Sequence, residues 1–132
     1  MSNVKSLPAR NTVKVSDTWD LTSLFANDDD WEKAFKQFEK QIPGFEKHRG
    51  KLGDSAKALA ACLKFDSDLD RLAERLGTYA FLKTTEDQTN SVYQRMIGRF
   101  QNVAVRAGEA ASFIRPEILA ISKKKLDEFL AS

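Results

Sequence analysis

The sequence predicts an all-α fold, a helical hairpin or bundle lobe with an extended N-terminal arm. Two observations carry this. Apolar residues recur at spacings of three and four over 31–42, 55–83 and 91–114, the period of helices that bury one stripe. The 132 residues include only three prolines and six glycines, few for an all-β protein that must turn every ~8–12 residues.

Residues 1–18 are polar and irregular and read as an arm. Trp19, Leu21, Leu24 and Phe25 then fall within seven residues, enough apolar surface to hold the arm down, in an extended stretch or one short turn. Asn27 is a good N-cap, and Asp28, Asp29 and Asp30 complement the positive end of the helix dipole. Trp31, Ala34, Phe35, Phe38 and Ile42 form the stripe of that helix, and Pro43-Gly44 ends it. Residues 45–53 read as a broken turn and linker.

Asp54 or Ser55 can cap the next helix. Ser67-x-x-Asp70 offers a second cap, so one bent helix or two over 55–84 fit the pattern equally. Thr84 to Asn90 reads as a helix-to-helix turn. A helix over 91–114 follows, with Tyr93, Met96, Ile97, Phe100 and Val103 on one face. Tyr79 and Phe100 are expected in the core of the resulting hairpin. Ala104, Ala107, Gly108, Ala110 and Ala111 would let another helix approach closely. Pro116 breaks the pattern, and Arg115 before it is biased away from the α region. Ser122 caps a last amphipathic run with Leu126, Phe129 and Leu130.

Composition excludes several chemistries. Lys and Arg number 21 against 19 Asp and Glu, a net +2 too balanced to imply a nucleic-acid or anionic-membrane partner. No apolar run reaches the ~18 residues of a membrane span, and no signal-like apolar stretch opens the chain, so a cytoplasmic location is expected. His48 is the single histidine and Cys62 the single cysteine, so a His-Glu-x-x-His zinc site is impossible here. His48 lies between Lys47 and Arg49 with no carboxylate or nucleophile aimed at it and reads as a surface residue. Cys62 reads as a small buried residue. Asp66, Asp68 and Asp70 alternate like a calcium loop but lack its glycine and final glutamate. Gly44, Gly50 and Gly53 make no phosphate loop, and Lys123-Lys124-Lys125 reads as a solvated face. The expected catalytic, cofactor-binding and metal residues are therefore none.

Several stretches together resemble a known family. Thr18-Trp19-Asp20-Leu21-Thr22-Ser23-Leu24-Phe25, with Trp31-Glu32 after an acidic turn, resembles the opening of oligoendopeptidase F, one of the thimet-oligopeptidase-like zinc metallopeptidases. Gly50-Lys51-Leu52 through Leu63 is similar to the next segment. Leu76-Gly77-Thr78-Tyr79-Ala80-Phe81-Leu82, then Glu86 to Asn90 and Gln94, is similar to the family's Tyr-Ala-x-Leu helix and acidic turn. Ser112-Phe113-Ile114-Arg115-Pro116-Glu117-Ile118-Leu119 is similar to its Phe-x-x-Pro-Glu-Leu-Leu stretch. The resemblance covers roughly 18–132.

It implies a flexible arm over 1–18 and a helical N-terminal lobe over 19–132, truncated at 132, that walls a channel for short peptides. The zinc and its ligands are expected in the missing catalytic part, with no cofactor in this chain. The implied partners are the remainder of the peptidase chain and, for the parent, short peptides. Self-association through the Leu126-Phe129-Leu130 face is a further expectation. The alternative reading is a freestanding helical protein-interaction module without enzymatic activity.

Overall fold

The computed structural model describes residues 6–132, and no strand occurs among them. The first five residues of the expected arm lie outside the described residues. From Ser6 to Ala26 the chain makes three short 3-10 turns, at Arg10–Thr12, Val15–Asp17 and Leu21–Ser23, separated by extended residues such as Ala9, Lys14 and Thr18. Five helices follow: α1 Asp28–Gln41, α2 Ala56–Glu86, α3 Ser91–Ala111, α4 Ile114–Ala120 and α5 Lys123–Ala131. No helix among the described residues is long and apolar enough to cross a membrane.

The caps explain most boundaries. The Asn27 side chain accepts from the Asp30 N–H, Ser55 from Ala58, Asn90 from Val92 and Ser122 from Lys125. The alternative cap at Ser67 is unused. α2 runs unbroken for 31 residues, roughly 46 Å at 1.5 Å per residue. Its apolar stripe, buried along its length at Cys62, Leu69, Leu76, Tyr79 and Ala80, favours one continuous helix.

α2 and α3 form an antiparallel hairpin. Its turn is locked by Asp87, whose carboxylate accepts from the Thr89 N–H at 3.0 Å and hydroxyl at 2.6 Å. α1 lies against both helices and runs parallel to α3. The register is visible in two ion pairs seven residues apart on each helix: Arg99 grips Glu32 through two 2.8 Å hydrogen bonds, and Arg106 meets Glu39 at 2.6 Å. The Arg99 guanidinium also lies 4.7 Å over the Phe35 ring.

The core sits where the three helices meet. Trp31 is fully buried, stacks on Phe35 at 5.0 Å, and donates its indole N–H to the Leu76 carbonyl at 2.9 Å. Tyr79 is buried as expected. Phe100 is half-buried, 6.4 Å from Phe38 and directly over Gly77, where an added Cβ would come within 2.7 Å of its ring. That close approach is why a glycine interrupts α2 at this turn.

Four expectations need correction. Trp19 does not hold the arm down: it is 82% exposed, and Leu21, Leu24 and Phe25 make the contacts instead. The helix expected to reach 114 stops at Ala111, where Ser112 turns back and donates its hydroxyl to the Glu109 carbonyl. Pro116 does not break a helix. It occupies the third position of α4, where its missing N–H has no intrahelical partner to lose, and Arg115 is helical beside it. Residues 45–53 open on a helical turn as expected, but they are more than a linker. They begin within a 3-10 helix over Ile42–Lys47, and Phe45 and Leu52 are buried core residues.

Candidate functional site

A groove lies between the arm and the C-terminal half of α2. It has a volume of about 620 Å³ and is lined by Trp19, Phe25, Asp28, Tyr79, Lys83 and Glu86 among others. A smaller pocket of about 300 Å³ adjoins it, sharing Arg10, Thr18, Trp19, Leu21 and Glu86. An Arg10–Glu86 ion pair at 3.2 Å ties the arm to the end of α2 beside both.

Asp28 organises the inner wall. As the first residue of α1 it serves the helix dipole, as its position in the sequence implies. It also accepts from the Tyr79 hydroxyl at 2.6 Å and the Tyr93 hydroxyl at 3.3 Å. The Lys83 ammonium stands 3.9 Å from the same carboxylate and 5.5 and 5.3 Å from the centres of the two tyrosine rings. Phe25 meets the Tyr79 ring edge-on at 5.5 Å, and Arg75 donates to the Leu24 carbonyl at 2.5 Å. The motif around Tyr79 thus ties α1, α2, α3 and the arm together. Burial, then the neighbouring Asp28 carboxylate, pushes the Tyr79 phenol well above its usual range, so it stays a neutral donor.

A second anchor joins the loop after α1 to α4. Gly50 adopts φ +76°, the left-handed region, and donates its N–H to Glu117 at 2.5 Å; the Leu52 N–H donates to the other carboxylate oxygen at 3.4 Å. Arg49 lies 4.7 Å over the buried Phe113 ring. The glycine thus serves a turn bound by a side chain, and Phe113 and Glu117 of the resemblance motif are packing and tethering residues.

The residues weighed earlier for chemistry stay apart from any common site. His48 follows the 3-10 segment and is half-buried, not fully on the surface as expected, with its ring 5.5 Å from Phe65. Cys62 is fully buried, and burial, with the Asp66 and Glu117 charges, pushes its thiol up, away from thiolate reactivity. Asp68 pairs with Lys64. Asp66 and Asp70 border a depression of about 200 Å³ between α2 and α3 whose far wall is Ala104, Ala107, Gly108 and Ala111, while Ala107, Ala110 and Ala111 also pack against the core. Burial and then Asp70 raise the Asp66 carboxyl. Among the described residues no group of three or more His, Cys, Asp or Glu is placed to hold a metal ion. Sequence reasoning missed Asp28 as a hub and Glu117 as an anchor. The signal for Asp28 was an acid inside a first helical turn, which the dipole already accounts for; Glu117 stood in a resemblance motif that does not name its partner.

Comparison with known proteins decides what this arrangement is related to. No family model matches the chain. Oligopeptidase PepF of Bacillus subtilis (strain 168) is 39% identical over 127 residues, covering 94% of this chain and 18% of PepF. The chain is a relative of oligoendopeptidase F. Group B oligopeptidase PepB of Streptococcus agalactiae serotype III (strain NEM316) is 30% identical over 92% of this chain and 20% of its own. The crystal structure of oligoendopeptidase-F from Enterococcus faecium superposes with a TM-score of 0.73 at 26% identity, over 80% of this chain and 21% of that one. The oligoendopeptidase F-like chain therefore spans about a fifth of the length of the relatives it matches.

Proposed function

We propose that this chain is the N-terminal helical lobe of an oligoendopeptidase F-like zinc metallopeptidase that hydrolyses short peptides, with residues 1–18 as its arm and 19–132 as the lobe. The observation that carries this is similarity along nearly the whole of this chain to a fifth of each peptidase. In this reading the lobe is scaffold and channel wall. The rigid three-helix core and its two tethers, at Asp28 and Glu117, keep one face in shape so that a peptide-sized passage stays peptide-sized. Among the described residues no group of three or more His, Cys, Asp or Glu is placed to hold a metal ion, and in this proposal the lobe supplies no zinc ligand. The zinc and the groups that activate water belong, in this proposal, to the catalytic part of the parent, which works in the cytoplasm.

The test uses the natural full-length polypeptide. Metal analysis after dialysis and a quenched-peptide assay should find about one zinc per chain, cleavage of short peptides and no cleavage of folded proteins. His48→Ala should leave turnover unchanged. A natural polypeptide that holds no zinc and cleaves no peptide would overturn the proposal in favour of an interaction module.

A further inference from the structure

We propose that the outward face of the arm, Val15 and Trp19 at the mouth of the groove against α2, is the docking surface for the remainder of an oligoendopeptidase F-like chain. This rests on the reading of the chain as a lobe. Trp19 is 82% exposed and Val15 87%, and both line the groove backed by Phe25, Tyr79 and Lys83. Trp19 contributes nothing to the core of this chain, although the rest of its stretch does. A tryptophan left in water beside a cavity is a typical anchor of an interface.

The exposure is built rather than incidental. Thr18 donates its hydroxyl to the Val15 carbonyl at 2.7 Å, closing the turn before Trp19. Asp20 accepts from the N–H and hydroxyl of Thr22 at 2.9 and 2.6 Å, fixing the turn after it. The indole is thus presented between two locked turns, and little conformational freedom is left to lose on docking. Arg10, on the wall shared by the groove and the adjoining pocket, keeps a buried Nε–H without a hydrogen-bond partner among the described residues. The occupant therefore brings an apolar side chain to Trp19. Length identifies it: roughly four fifths of each relative lies outside the matched region and must meet this lobe somewhere.

Hydroxyl-radical footprinting of the natural full-length polypeptide, read by mass spectrometry, tests this with Trp31 as the internal reference for a buried indole. Docking predicts that Trp19 is oxidised within about twofold of the Trp31 rate, and that Trp19→Asp speeds amide exchange over 13–25 at least tenfold while Trp31 stays protected. Trp19 oxidised more than tenfold faster than Trp31 would overturn the docking surface and leave the peptidase reading intact. Protection lost on dilution to monomer would overturn it in favour of a second copy, and protection gained only on adding a short peptide in favour of a ligand groove. An intact mass of only 132 residues would remove both the occupant and the peptidase reading.

Discussion

Tyr79 does more than fill space. Its ring is buried against Phe25, and its hydroxyl reaches the Asp28 carboxylate 51 residues away in the chain. A hydrogen bond to a charged group contributes about 1.5–3 kcal/mol, and removing the hydroxyl leaves Asp28 with only the longer Tyr93 and Lys83 contacts. Tyr79→Phe is therefore expected to lower the unfolding free energy by about that amount with little loss of packing. Urea titration checks it; a change below roughly 0.5 kcal/mol would mean that Asp28 is held equally well without the phenol.

Among the elements, α4 is the least self-sufficient. Seven residues with a proline in the first turn make a weak helix, since isolated helices below ~12 residues are marginal in water. What holds it is tertiary: Ile114 is buried, and Glu117 bridges to the Gly50 and Leu52 amides. Glu117→Ala should release the 48–54 loop, raising amide exchange at Gly50 and Leu52 by about tenfold or more, the equivalent of ~1.4 kcal/mol, with the α2 amides unchanged. Unaltered exchange at those two amides would show that the φ +76° turn holds the loop without the carboxylate.

For the whole molecule, two partly buried carboxyls are pulled in opposite directions by their surroundings. The hydrogen bonds and charge of Arg99 hold Glu32 below its usual range of about 4.5. Its stabilisation is full above that value and is lost as pH falls through the lower folded value. Asp66 is raised above 3.8 by burial and by Asp70, so its ionisation costs stability above the raised value and nothing below 3.8. Thermal midpoints across pH 3–8 should show Asp66→Asn stabilising at pH 7, with the gain vanishing by about pH 3.5. Glu32→Gln should destabilise at pH 7 by less than ~1 kcal/mol, because the pair is half exposed, and should converge with the parent at low pH. A pH-independent Asp66→Asn effect would assign its cause to packing instead of charge.

The helices were legible in the residues because period and caps are local. The stripes at 31–42, 55–83 and 91–114, the last of them three residues too long, and the caps at Asn27, at Asp54 or Ser55, and at Ser122 act over three or four residues, within the reach of sequence pattern. Burial of Tyr79 was legible for the same reason. The continuity of α2 past Ser67 was not, because a cap competes with an interior position and the burial of Cys62 and Leu69 on either side of Ser67 belongs to the packed chain. Nor was the place of Trp19: Leu21, Leu24 and Phe25 make the contacts with the core, and apolar character alone does not say which of four neighbours turns outward. Asp28 and Glu117 look in sequence like any acid in a first helical turn. Their further roles depend on partners 51 to 67 residues away, a separation at which only the packed chain brings donor and acceptor within hydrogen-bonding range.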